Sequence, residues 1–217
     1  NVSEAEKQRD DKNGPCWQIN VEGTRNLVSA LPTSTRLIHI STDYVFSGQN
    51  GPYKETDIPE TDQSKVTWYG FTKGEAERIV GDRGTIVRLI YPVRAKYNQK
   101  LDYLRKHLDL YNQGRLYPLF TDQQISLTFI DEACLALQKI IDQNLSSTFH
   151  MSCPDTTTPY EIITYLLQKL GKDISGIQKS SVDPKRYPQY GGLKPSFNFS
   201  PWRQIVDKLI EQGIGTV

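Results

Sequence analysis

The stretch RLIHISTDYVFSG (36–48), followed after a long polar loop by YGFTKGEAERIVGDRGTIVRLI (69–90), decides the fold. Residues 36–41 form a short β-rich run that breaks into Ser41, Thr42 and Asp43, as a buried strand does when its carboxyl end opens into a loop. Residues 69–80 carry a helical pattern closed by Gly81, and 85–90 form a second β-branched strand. The alternation continues outward from this unit. Upstream, apolar or small residues at Trp17, Val21, Thr24, Leu27, Val28 and Leu31 predict a helix over 16–31 with one buried face, stopped by Pro32. Downstream, a helix is predicted over 101–112, short strands over 116–120 and 125–130, and a helix capped by Asp131 and running to 141. A strand over 148–151, a helix over 159–170 and a last helix between Ser200-Pro201 and Gly213 complete the series. Strands alternating with helices predict an α/β fold with a largely parallel sheet. Residues 46–66 show no period of either kind, and a structureless stretch of that length is expected to be functional. Residues 174–199 read as an irregular connection.

Composition narrows the partners. Lys and Arg total 26 against 25 Asp and Glu, a net charge of +1, and the basic residues are scattered, so neither nucleic acid nor an anionic membrane is an expected partner. The longest apolar runs fall far short of a membrane span, and the polar N-terminus is unlike a signal peptide. Cys16, Cys134 and Cys153 are odd in number without C-x-x-C spacing, and His39, His107 and His150 are far apart, so no disulfide framework and no metal site is indicated. A soluble, cytoplasmic protein is expected.

A tyrosine and a lysine four apart on a helix share a face, so the ammonium can lower the phenol's pKa and make it a usable proton donor. The pattern alone says little: 12 tyrosines and 15 lysines in 217 residues give about one such pair by chance, and the chain has three, Tyr69/Lys73, Tyr165/Lys169 and Tyr190/Lys194. Context separates them. Tyr165 and Lys169 lie inside an amphipathic helix, where a surface tyrosine is the plainer reading, and Tyr190 lies in a Pro/Gly loop. Tyr69 opens a helix after a long polar loop that itself follows a strand ending in Ser41-Thr42. In an open parallel sheet ligands bind at the carboxyl ends of strands, so one site could collect Ser41 or Thr42, Tyr69 and Lys73. A capping hydroxyl beside a solvated Tyr/Lys pair is the competing structural explanation.

The runs NVEGTRNL (20–27), HISTDYVFSG (39–48), GPYKETD (51–57) and YGFTKGEAE (69–77) resemble, in that order, the extended short-chain dehydrogenase/reductases, and within them the dTDP-4-dehydrorhamnose reductase group of sugar-nucleotide reductases. The likeness is strong over 16–93, moderate through 161 and weak thereafter. It implies a Rossmann-like, largely parallel sheet with a smaller C-terminal substrate lobe, 1–93 being the C-terminal part of a dinucleotide-binding domain and 94–217 a mixed substrate-binding lobe with returning Rossmann elements. It implies a catalytic triad of Thr42, Tyr69 and Lys73, with Ser41 as a neighbouring hydroxyl. It also implies hydride transfer from NADP or NAD, undistinguished between the two, to the ketone of a nucleotide-sugar substrate. By the same resemblance Asp43 and Tyr44 line the substrate pocket with Thr42, Tyr91 and Pro92 meet the nicotinamide amide, and Asn20 is structural or water-binding; a homodimer is open. Dehydratases of the superfamily follow the threonine with Asp-Glu, whereas Thr42 is followed by Asp43-Tyr44, which favours reduction over elimination. Two alternatives stay beside this reading: another sugar-nucleotide epimerase or dehydratase, and a non-catalytic partner of the methionine adenosyltransferase β type, which resembles the same group.

The chain departs from the pattern at its start. An extended reductase opens with a strand, a G-x-x-G-x-x-G turn and a helix whose N-terminus takes the pyrophosphate, so about 65 residues are expected to be missing ahead of Asn1. The chain has a G-x-x-G at Gly48-Gln49-Asn50-Gly51, inside the polar loop, and another at Gly81-Asp82-Arg83-Gly84, between a helix and a strand, and neither stands between a strand and a helix as that turn requires. The strand at 36–41 is therefore expected to expose a long apolar edge.

Overall fold

The helix that carries Tyr69 and Lys73 starts where its sequence can satisfy the first free backbone donors. The Thr67 hydroxyl accepts the Gly70 N–H at 3.1 Å, and the helix ends at Gly81, whose φ of +45° suits a residue without a Cβ. The structure of the protein, a computed structural model, describes residues 2–184 and 187–215. Its elements are α1 (Val2–Glu6), α2 (Pro15–Trp17), α3 (Gly23–Ala30), β1 (Ile38–Thr42), α4 (Trp68–Val80), β2 (Thr85–Leu89), β3 (Pro92–Val93), α5 (Tyr103–Asn112), β4 (Leu119–Phe120), β5 (Thr128–Phe129), α6 (Ile130–Asp142), β6 (Thr148–Met151), α7 (Pro159–Lys169), β7 (Lys179–Ser180) and α8 (Trp202–Glu211). A π-helical turn over Gln18–Glu22 joins α2 to α3.

The main sheet is parallel, in the order β1-β2-β6. One face packs on α6 through Val87, Met151, Ala133, Ala136 and Ile140, and α4 covers the other through Val80 and Ile86, giving the helix–sheet–helix layering of an α/β fold. A separate core of α5, α7 and α8, built on Leu104, Leu108, Ile162, Leu166, Val206 and Leu209, gathers the small parallel pairs β3-β5 and β4-β7.

Three expectations need correction. The helix over 16–31 buries Trp17 and Val21, but no residue of α3 is buried, and Leu27 lies half in solvent. Asp131 does not cap α6: Phe129 occupies that position, and Asp131 sits in the first turn, where its charge still favours the helix N-terminus and accepts from Gln212 at 2.7 Å. Among the described residues of 174–199 the connection is irregular except for β7, which pairs in parallel with β4. β1 lies at the edge of the main sheet, where Ile40 is 46% exposed while Ile38 and His39 are half-buried.

One register row of the sheet is polar. Ser41, Arg88 and His150 lie side by side across the three strands, and all three are buried on the α4 face. Arg88 donates to both oxygens of Glu77 on α4, at 3.0 and 2.7 Å, and the Ser41 hydroxyl donates to the same carboxylate. Arg88 also reaches the Asp57 carbonyl at 3.3 Å and His150 Nε2 at 3.2 Å, so the row ties the irregular segment after β1 to the sheet. An arginine can only donate and a carbonyl can only accept. His150 Nε2 must therefore present its lone pair to Arg88, while Nδ1 donates to the Lys194 carbonyl at 3.1 Å. Burial, reinforced by the Arg88 charge, lowers His150 to about 4. Nitrogen-15 NMR is expected to show a neutral imidazole protonated on Nδ1 from pH 7 down to about 5. Because the unfolded histidine takes up its proton near 6.5, this group costs stability as the pH falls from there toward 4. An Nε2-protonated ring, or a titration midpoint near 6.5, would contradict the row as described.

Candidate active site

Thr42 ends β1 and caps the 3-10 turn Asp43–Val45, its hydroxyl accepting the Tyr44 N–H at 3.3 Å. The first turn of α4 is laid directly on that turn. Gly70 makes this possible, because a Cβ there would come within 1.9 Å of the Tyr44 carbonyl oxygen. Tyr69 is thereby seated over Thr42, with its ring edge-on to Tyr44 at 6.1 Å. Hydrogen bonding with Thr42 favours ionisation of the Tyr69 phenol, but burial outweighs it, and the nearby Asp43 carboxylate adds to the rise, so the phenol titrates above its usual range.

Lys73 lies one turn further along the same face and points to the sheet edge. Its amine donates to the Ile40 carbonyl at 2.7 Å and lies 3.1 Å from His39 Nε2. Burial lowers the Lys73 pKa, opposed by the charge of Glu77, and burial followed by the Lys73 charge brings His39 to about 4. The expected lowering of the Tyr69 phenol by Lys73 is not found. The ammonium is committed to β1, and the charge that Tyr69 feels most is the negative one of Asp43.

Other residues fall into place unevenly. Ser41 does not join the Thr42–Tyr69 pair, because its buried hydroxyl is bound to Glu77 under the sheet. Asn20 donates to Thr72 Oγ1 at 3.0 Å and so fastens the preceding helix to α4. Tyr91, just past β2, adopts φ +39°, a strained conformation for a tyrosine. Its phenol is hydrogen-bonded to that of Tyr44, and its ring packs on Tyr103 at 4.6 Å. Pro92 is exposed, in register with Thr128.

The rival pairs lie elsewhere. Tyr165 and Lys169 share Asp207 of α8, at 3.0 Å each. Tyr190 is exposed in the strap that crosses the loop after β1, its N–H donating to the Gly48 carbonyl. A cavity of about 590 Å³ lies on the α6 side of the sheet, lined by Glu132, Lys139 and Phe197, away from Tyr69.

The sequence reading missed three features. Glu77 follows Tyr69 and Lys73 at the next i+4 step, a spacing that places all three on one helix face. Gly70 looked like an ordinary helix glycine. An aromatic run continues from Tyr91 through Tyr103 to His107 and Tyr117, where the Tyr117 hydroxyl donates to His107 Nε2 at 2.8 Å. Among the described residues no group of three or more His, Cys, Asp or Glu could hold a metal, and no helix is long and apolar enough to cross a membrane. The hydroxyl of Tyr69, over the carboxyl end of β1, and the amine of Lys73, one turn further along α4 at the edge of β1, are groups of the chemistry that suits the ribose of a nicotinamide nucleotide. Gly81 and Gly84 merely close α4 ahead of β2, so among the described residues no glycine turn leads into a helix fit for a pyrophosphate.

The RmlD substrate binding domain family matches residues 1–212. Methionine adenosyltransferase 2 subunit beta from Bos taurus is 29% identical over 161 residues, covering 67% of the chain and 45% of that protein. The probable low-salt glycan biosynthesis reductase Agl14 from Haloferax volcanii is 30% identical over 149 residues, covering 66% and 48%. The chain thus spans about half the length of these relatives. Among solved structures, a dTDP-4-dehydrorhamnose reductase from Bacillus anthracis in complex with NADP superimposes with a TM-score of 0.78 at 19% identity, over 98% of this chain and 85% of that one. At that identity the likeness establishes the Rossmann-like fold.

Proposed function

The chain belongs to the RmlD substrate binding domain family, and from that premise we propose that it serves NAD(P)H-dependent reduction of the keto group of a nucleotide-activated deoxysugar. The observation that carries this reading is the meeting of Thr42 and Tyr69 at the carboxyl end of β1, with Lys73 one turn further along α4. The nicotinamide would supply a hydride when bound. Tyr69, kept protonated by its raised pKa, gives its proton to the carbonyl oxygen, and Thr42 hydrogen-bonds that oxygen. Lys73, turning from Ile40, holds the ribose together with Tyr69, while Tyr91 and Pro92 face the nicotinamide. Asp43 and Tyr44 border the sugar, and the lobe over 94–217 takes the rest of the nucleotide. The cytoplasm is the compartment in which three unpaired cysteines fit best.

One observation favours a second reading as a non-catalytic partner of another enzyme: the Lys73 amine is bound to the strand edge rather than turned toward Tyr69. The test is to mix the protein with dTDP-4-dehydrorhamnose and NADPH or NADH, and to follow nicotinamide oxidation together with the alcohol product. With the full-length protein, stoichiometric formation of both is expected. Copurification with an adenosyltransferase catalytic subunit, with no reduction by either cofactor, would overturn the reductase reading.

A further inference from the structure

Asp43 is 7% exposed and sits directly after Thr42 in the 3-10 turn. Thr42 Oγ1 donates to Asp43 Oδ1 at 3.0 Å. The titratable groups that face it are phenols: Tyr44 from its own turn, Tyr69 from α4 and Tyr91 from beyond β2. The strap over 187–193 closes the remaining side with Gly191, where even a Cβ would lie 3.9 Å from Oδ2. Among the described residues no ammonium or guanidinium is paired with this carboxylate. A buried carboxylate without a counter-charge is costly, and a proton relieves that cost.

We propose that Asp43 is a positioning residue whose charge state decides which way the Thr42 hydroxyl donates. This rests on the reductase reading of the same site. As a carboxylate, Asp43 accepts the hydrogen bond of the Thr42 hydroxyl, which then offers a ligand oxygen only lone pairs. As a carboxylic acid, Asp43 donates to Thr42 Oγ1, and the Thr42 O–H is released toward the ketone oxygen. No covalent bond other than Asp43 O–H changes, and its proton exchanges with solvent. The ionised form also holds the Tyr69 proton more tightly, so both donors are strengthened or weakened together. Burial lifts Asp43 to about 7 against the hydrogen bonds from Thr42 and from the Asp43 and Tyr44 amides, which favour the carboxylate. The switch therefore works near neutral pH, with the donors available below it and withdrawn above.

The test uses three readouts on the whole chain. Infrared difference spectra between wild type and Asp43→Asn should show a neutral-carboxyl band that disappears between about pH 6 and 8, and in Thr42→Val, which lacks the bond favouring the carboxylate, the band should persist to higher pH. Ultraviolet titration of tyrosinate, referenced to Tyr69→Phe, should show the Tyr69 phenol ionising at lower pH in Asp43→Asn. In turnover, kcat should fall about tenfold per pH unit above the Asp43 transition, and Asp43→Asn, whose amide cannot ionise, should lose that limb. A carboxylate already ionised at pH 6, or an unchanged alkaline limb in Asp43→Asn, would overturn the proposal. If the wild type reduces no keto sugar, the reductase reading fails, and the infrared and tyrosinate titrations still decide whether Asp43 governs Thr42 and Tyr69.

Discussion

In a full-length protein, replacing Tyr69 by phenylalanine is expected to lower kcat for ketone reduction by about two to four orders of magnitude while leaving cofactor affinity nearly unchanged. The substitution removes one oxygen. The ring still meets Tyr44 edge-on, and the close seat of Gly70 on the Tyr44 carbonyl is untouched, so the helix should not move. What is lost is the proton donor beside Thr42. Lys73→Ala should behave differently, weakening rate and cofactor affinity together. It should also free the Ile40 carbonyl and remove the positive charge that helps hold His39 near 4, so the His39 pKa should rise. Pre-steady-state turnover and nicotinamide binding, measured on both variants, separate the roles. Similar, modest losses in rate and affinity for the two would count against Tyr69 as the acid.

The second large effect concerns folding rather than chemistry. Arg88 and Glu77 form an ion pair with both side chains 3% exposed, and Arg88 additionally lies 4.8 Å over the Phe46 ring. Arg88→Met would leave the Glu77 carboxylate buried with the Ser41 hydroxyl as its hydrogen-bond donor and Lys73, whose amine is bound to the Ile40 carbonyl, as the nearby positive charge. Removing one partner of such a pair costs about 3–5 kcal/mol, because the survivor keeps its desolvation penalty without its counter-charge. For a protein of this size that corresponds to a fall in Tm on the order of 10 °C. The double variant Arg88→Met/Glu77→Leu should recover much of the loss, since no unpaired charge remains. Calorimetry on the two single variants and the double one closes the cycle. Single losses below about 1 kcal/mol would mean that water or another group already serves Glu77.

The same row explains why the segment after β1 lacked any period in the sequence. It is held by contacts that no local pattern records: the Asp57 carbonyl on Arg88, the Glu55 carboxylate on the His150 and Ser196 amides, and Tyr53 paired with Gly192 and Lys194 of the strap. Each joins residues tens of positions apart.

The alternation of β-branched runs with helical spacing determined the α/β class, the parallel sheet and the position of Tyr69 at the start of α4, because hydrophobic period and capping chemistry act over a few neighbouring residues. The Thr42, Tyr69 and Lys73 candidates were legible for the same reason: a strand end and a helix start are local features, and the resemblance over 39–77 rests on contiguous runs. Tertiary structure alone decided where their polar atoms go. Whether Ser41 faces a ligand or Glu77 depends on which side of the sheet α4 covers. Whether Lys73 lowers the Tyr69 phenol depends on the distance to the Ile40 carbonyl and His39. The charge state of Asp43 depends on how completely Tyr44, Tyr69, Tyr91 and Gly191 exclude water from it. Burial and hydrogen-bond partners at that range are set by how separate elements pack, and pKa values follow burial and partners rather than residue order.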